Sequence, residues 1–151
     1  MSLSRGDVSL PALAKRVAEK LATQTNQHTI VTDFPDYFPI ILADETRIEQ
    51  VVINLVSNAL KYAPAGEIRI AGQVRAEQVI ICVSDEGPGI EAKDLPHIFD
   101  RFYRSTKAVK HTKGAGLGLY LARAIVEAHG GRIWADPKPD SGARLCFSLP
   151  R

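Results

Sequence analysis

The sequence predicts an α+β fold, a two-layer α/β sandwich in which one mixed β-sheet carries helices on one face. Three observations point there. Apolar residues recur at helical spacing in separate stretches near residues 10–21 and 48–62 and between Gly118 and Gly130. Short runs rich in Val and Ile, bounded by Pro and Gly, lie between them and read as strands. The order is helix, two strands, helix, strands, loop, helix, strands, with no repeat, low-complexity tract or internal linker. At 151 residues the chain has about one domain's worth of sequence. Its 45% hydrophobic and 24% charged residues are ordinary for a soluble globular fold, and a chain of this length buries a core without staples.

Element by element, "SLPALAKRVAEKLATQTN" places Leu10, Leu13, Ala14, Val17, Ala18 and Leu21 on one helical face. "HTIVTDF" and "PIILAD" read as short strands around the Pro-punctuated turn "FPDYFP". "DETRIEQVVINLVSNALKYAP" opens on Asp44, a good N-cap, and stops at Pro64, making it the longest helix. "EIRIAGQVRAEQVIICVSDE" is two strands with a turn near Ala76 and Glu77, broken by "GPGI". Residues 91–113 are mostly irregular, with a short helix expected near Leu95 to Phe102. A further helix follows the glycines at Gly114, Gly116 and Gly118 and ends at Gly130, with His129 in its last turn. "GRIWADPKP" and "GARLCFSLP" close the chain as a hairpin.

Net charge is only +2, so no global surplus suits a polyanion, and only one short segment is basic, which argues against nucleic acid. The two cysteines, Cys82 and Cys146, sit in apolar strand-like runs and form no CxxC. They read as small buried hydrophobes, in keeping with a reducing cytoplasm. No apolar run approaches the roughly 18 residues of a membrane span, and no signal-peptide pattern opens the chain.

Several constellations carry chemistry. On a wheel of about 100° per residue, Ile48, Val51, Val52, Leu55, Ala59 and Tyr62 centre an apolar stripe that Ile53, Val56 and Leu60 widen. Asn54, Ser57, Asn58 and Lys61 crowd the remaining wedge. That wedge is either a solvated stripe or a site. Asn is a mediocre helix former, but its carbonyl oxygen can bind a hard cation such as magnesium, and Lys61 could neutralise a phosphate. "VSDEGPGI" puts Asp85 at a strand end, an acceptor able to read an amine, followed by glycines that admit close approach; the alternative is a plain turn. "IFDRFYRSTKAVKHTK" concentrates Arg101, Arg104, Lys107, Lys110, His111 and Lys113 against one acid, Asp100. Phe99, Phe102 and Tyr103 could anchor one end of it, and a basic loop before a glycine-rich helix start suits a lid over a polyphosphate, or a solvated loop. "GAGLGL" matches neither the P-loop nor the G-x-G-x-x-G dinucleotide fingerprint.

Together and in this order, these pieces resemble the catalytic and ATP-binding domain of two-component sensor histidine kinases. That fold is shared with type II topoisomerase ATPase domains, mismatch-repair MutL proteins and heat-shock chaperones. "NLVSNALKYAP" looks like the N box, "DEGPGI" the first glycine box, "IFDRFYR" the F box and "GAGLGL" the second glycine box, with an ATP lid between the last two. The resemblance runs from about Leu10 to Pro150. It implies a linker from an upstream dimerisation domain, or a leader left by cloning, over residues 1–9 and the catalytic domain over 10–151. It implies that Asn58 ligates the magnesium bridging the ATP phosphates, with Asn54 beside it, and that Lys61 and Arg104 contact phosphates. Tyr62 would line the nucleoside pocket. Asp85 would accept from the adenine amine, supported by Gly87, Gly89 and Ile90, with Phe99 in the F box. Lys113, Gly114, Ala115, Gly116, Leu117, Gly118 and Leu119 would close over the phosphates.

The chain departs from the family pattern where Ala115 and Ala143 stand in place of hydroxyl-bearing residues, each costing a hydrogen bond of about 1 kcal/mol. The cofactors implied are ATP and Mg2+. The implied activity is protein-histidine kinase, donating the γ-phosphoryl group to a histidine on a separate dimerisation domain, with a response regulator downstream. His28, His97, His111 and His129 are none of them followed by an acid, so the acceptor histidine is not expected here and the fragment should not phosphorylate itself. Hydrolytic relatives carry a Glu where this chain has Asn54, which accepts no proton at neutral pH. An ATPase, an anti-sigma-type serine kinase and a nucleotide-binding module without catalysis are the rival readings. The fragment is expected to be monomeric and cytoplasmic, from a bacterial parent that is soluble or anchored in the inner membrane.

Overall fold

The computed structural model describes residues 1–101, 103, 118–136 and 142–151. Ser9 caps the first helix, α1 (Leu10–Ala22), its side chain accepting from the Ala12 amide at 3.4 Å, and Pro11 sits in the first turn where a missing N–H costs nothing. Asp44 caps the longer α2 (Glu45–Tyr62) by accepting from Arg47 N–H at 3.2 Å. The third helix, α3 (Gly118–Ala128), stops before Gly130, whose φ of +81° only glycine adopts cheaply. The six residues picked out for the buried face of α1 are its six buried residues.

Strand β2 (His28–Asp33) runs parallel to β4 (Gly66–Val74). β4 pairs antiparallel with β5 (Gln78–Ser84), β5 with β7 (Arg144–Pro150), and β7 with β6 (Ile133–Ala135). The result is a mixed five-stranded sheet in the order β2-β4-β5-β7-β6. Alternation puts Ile68 and Ile70, Val79, Ile81 and Val83, and Leu145, Phe147 and Leu149 on one face, all buried. The helices pack on that face with Leu13, Val17, Ile48, Val52, Leu55 and Ile125 in one core. Each such side chain contributes roughly 1.5–3 kcal/mol of burial.

Three expectations change. "PIILAD" does form a strand, β3 (Ile41–Ala43), but it leaves the main sheet and pairs antiparallel with β1 (Gly6–Val8) in a two-stranded sheet of its own. A strand of three residues carries too little pattern to declare its partner. The helix expected near Leu95 to Phe102 is instead a succession of turns, with Asp94 N–H on Glu91 O, His97 N–H on Asp94 O and Asp100 N–H on His97 O; Phe102 lies outside the described residues. Pro96 removes a donor there. Last, Cys82 and Cys146 are not two separate thiols but a disulfide. The β5–β7 register sets them directly opposite one another, which their separation of 64 positions does not reveal. Cys146 is buried, as expected, at 3% exposure. Among the described residues no helix is long and apolar enough to cross a membrane.

Candidate functional site

A cavity of about 660 Å³ opens where α2, the end of β5, residues 88–98 and Tyr103 meet. α2 contributes because its apolar arc is committed to the core, with Ile48, Val51, Val52, Leu55, Val56 and Ala59 buried. Its polar wedge therefore faces outward, and Asn58, Lys61 and Tyr62 line the cavity. Asn54 does not. Its side-chain amide donates to Gly118 O at 3.0 Å, tying α2 to the start of α3 one turn before the cavity. The far end of α2 is held from outside by His28, whose Nε2 lies 2.7 Å from Ala63 O while Nδ1 meets Thr25 Oγ1 at 2.6 Å.

Asp85 lines the cavity as well. It follows the last residue of β5 and is 9% exposed. Its backbone N–H donates to Ala143 O at 3.0 Å. Its Oδ1 accepts from Gly87 N–H at 2.8 Å and from Ala143 N–H at 3.2 Å. Both bonds fall on Oδ1, so the carboxylate is held in one orientation and offers its other oxygen to a donor in the cavity. The surrounding glycines are required. A Cβ on Gly87 would sit 2.9 Å from Ala63 Cα, and Gly89 and Gly142 have φ of +83° and +88°.

A further part of the lining is built from the turns after Gly89. Ile90, Glu91, Asp94, Ile98 and Tyr103 make it up, and Leu119, in the first turn of α3, closes one side. Phe99 is half-buried against the core and is not among the lining residues. Asp94 is 4% exposed and accepts the Tyr103 hydroxyl on Oδ1. That hydrogen bond first, then burial and the nearby carboxylates Asp94, Asp100 and Glu91, push the Tyr103 phenol above its ordinary pKa.

The structure thus brings together Asn58, Lys61, Tyr62, Asp85, Gly89, Ile90 and Leu119 around one cavity, with Gly87 and Gly118 immediately behind it. Arg104, Lys113, Gly114, Ala115, Gly116 and Leu117 lie outside the described residues. Sequence reasoning missed Pro64, Pro88, Glu91, Asp94, Ile98, Tyr103, Ala143 and Leu145 as lining residues. Pro88 stood inside "DEGPGI", but nothing in the spacing of Asp94 and Tyr103 announces their pairing. Ala143, noted for a lost hydroxyl, contributes its backbone N–H instead.

Residues 43–151 match the family model described as "Histidine kinase-, DNA gyrase B-, and HSP90-like ATPase". The chain is 39% identical over 139 residues to sensor histidine kinase WalK of Bacillus subtilis (strain 168), covering 89% of this chain and 23% of that protein. It is 36% identical over 153 residues to adaptive-response sensory kinase SasA of Microcystis aeruginosa (strain NIES-843 / IAM M-2473), covering 99% of this chain and 40% of that one. The chain therefore spans less than half the length of these relatives. Among solved structures, full-length ShkA in complex with AMPPNP superposes with a TM-score of 0.89 at 29% identity, over 99% of this chain and 32% of that one. The catalytic domain of histidine kinase ThkA superposes at 0.82 and 29% identity, over 98% of each chain. By sequence and by architecture, the chain belongs to the histidine kinase-, DNA gyrase B- and HSP90-like ATPase family, with the fold of a sensor histidine kinase catalytic domain.

Proposed function

We propose that this domain binds Mg-ATP and donates the γ-phosphoryl group to a histidine on a separate dimerisation domain, with a response regulator receiving it downstream. One observation carries the reading: a carboxylate fixed by two backbone N–H groups, Asp85, lines the same cavity of about 660 Å³ as Asn58 and Lys61. A purine amine suits Asp85, and the polyphosphate then lies toward α2 and the start of α3. The likeness to ShkA, solved with AMPPNP, supports the same ligand class. Lys61 neutralises phosphate charge, and in this reading Arg104 and Lys113 add to it, with Gly114, Gly116 and Gly118 admitting the phosphates to the backbone.

Magnesium fits the donor set through the Asn58 side-chain oxygen together with the phosphates. Among the described residues no group of three or more His, Cys, Asp or Glu could hold a metal by itself, and magnesium is commonly held by one or two protein oxygens plus substrate phosphates. When bound, it would neutralise charge developing on the transferred group. Asn54 spends its amide on Gly118 O and has no proton-accepting group for water, so hydrolysis is a side reaction at most. The Ala143 departure is offset because its N–H, not a side chain, supports Asp85.

Calorimetric titration with ATP, with and without magnesium, tests this reading on the chain as it stands and on Asn58→Ala and Asp85→Asn. Magnesium-dependent binding that both substitutions weaken at least tenfold, followed by transfer to a supplied histidine-bearing dimerisation domain, is the expected result. Binding without any transfer would leave a nucleotide-binding module. No binding up to millimolar ATP would overturn the reading.

A further inference from the structure

The cavity lining holds two acids for which the kinase reading has no use, the exposed Glu91 and the buried Asp94. Asp94 is 4% exposed and lines the cavity beside Ile90 and Ile98. A carboxylate in the wall of a cavity that admits a polyanion repels it, and low-polarity surroundings strengthen the repulsion. Here the carboxylate is engaged: the Tyr103 hydroxyl donates to Asp94 Oδ1. The phenol does not depend on that bond alone for its position. The Tyr103 ring lies with its centroid 5.4 Å from that of His97, and its backbone N–H donates to Asp100 O at 3.2 Å. With its ionisation displaced upward, Tyr103 stays a donor throughout the neutral range.

We propose that Tyr103 is a positioning residue for the phosphate-bearing part of the ligand: its hydroxyl fixes Asp94 and engages the negative charge that would otherwise face the polyphosphate. This rests on the Mg-ATP reading above. It separates two ligands that share a nucleoside. Loss of the hydroxyl weakens a triphosphate but spares adenosine, which carries no charge for Asp94 to repel. It also makes the effect reversible, because removing the Asp94 charge removes the need for Tyr103.

The test titrates Mg-ATP and adenosine into the unaltered chain, Tyr103→Phe, Asp94→Asn and the Asp94→Asn/Tyr103→Phe double variant, with thermal unfolding of each. Tyr103→Phe is expected to bind Mg-ATP roughly fivefold more weakly, the scale of one hydrogen bond, and adenosine unchanged. The double variant is expected to regain the affinity of the unaltered chain. Asp94→Asn alone keeps the acceptor oxygen and is expected to bind Mg-ATP at least as tightly as the unaltered chain. This arm stands even where Tyr103→Phe does not fold. Parallel loss of both ligands in Tyr103→Phe would show only a loosened wall and overturn the proposal, as would failure of the double variant to recover or weaker binding by Asp94→Asn. An unaltered chain that binds Mg-ATP with all variants equal to it overturns the proposal alone. An unaltered chain that binds neither ligand overturns the nucleotide reading and the proposal together.

Discussion

Asp85 and Gly142 show how much a single position decides. The carboxylate is oriented by Gly87 N–H and Ala143 N–H, so the backbone at Gly142 must pass close to it. A Cβ there would overlap the Asp85 carbonyl oxygen, on a residue whose φ is +88°. Gly142→Ala is expected to destabilise the domain by about 2 kcal/mol or more and to weaken nucleotide binding with it. Gly6→Ala, where nothing lies within 4 Å of the new Cβ, should be neutral in both. Urea unfolding of the pair checks this. Asp85, its glycines and the polar wedge of α2 were legible in the sequence because each is a local exception: an acid after an apolar strand, glycines beside it, asparagines among branched apolar residues. Asp94 was not. Its meaning depends on Tyr103, nine positions on, and on the turns between them, which no periodicity describes.

At the scale of elements, α2 is the piece that the sequence specifies most fully, and its cap joins three parts of the fold. Asp44 accepts from Ser4 N–H at 2.9 Å as well as from Arg47 N–H, and its own N–H donates to His129 Nε2 at 3.0 Å, while His129 Nδ1 lies 2.8 Å from Ile125 O. Asp44 as N-cap and His129 near the end of α3 were both readable; their contact, 85 positions apart, was not. The two amides, Ser4 first, hold the Asp44 carboxyl below its ordinary pKa. The sign follows: a lowered folded-state pKa stabilises while the group is ionised and ceases to do so as pH falls through it. Asp44→Asn has one acceptor oxygen for the two amides that Asp44 takes on Oδ1 and Oδ2, so it loses the charge and one of those hydrogen bonds, and its melting temperature should lie below that of the unaltered chain at pH 7. The gap should narrow below about pH 4, where the charge-dependent part is lost. Asp44→Ala should lower melting by roughly 2–4 °C at pH 7. Tyr103 has the opposite sense. With its pKa raised, its contribution is full below about pH 10 and is lost on going more alkaline. Thermal melts across pH, compared with Tyr103→Phe, read both windows.

Across the whole molecule, β5 and β7 do two things at once. Their central residues, Ile81 against Phe147 and Val83 against Leu145, hold the core, and their ends deliver Asp85 and Ala143 to the cavity. The alternating apolar pattern made both strands legible, and the closing hairpin with β6 as well. Which strands become neighbours is a property of the folded chain, and that is why the Cys82–Cys146 link escaped a reading of the two residues one at a time. The link lies on the face away from the helices, since Cys82 alternates with the buried Ile81 and Val83. It therefore stabilises chiefly by restricting the unfolded chain, across a separation of 64 positions, rather than by shaping the site. A thiol reductant, or replacement of both cysteines by alanine, is then expected to lower stability by about 2–4 kcal/mol and melting by roughly 5–15 °C. Mg-ATP affinity should stay within about twofold, because the ladder hydrogen bonds that carry Asp85 and Ala143 persist and two neutral thiols add no charge near the ligand. In a reducing compartment the pair would be thiols, so a kinase domain working there must retain its nucleotide affinity without the bond. Scanning calorimetry and titration with and without reductant decide it. An affinity that falls in step with melting temperature would show that the disulfide shapes the cavity itself.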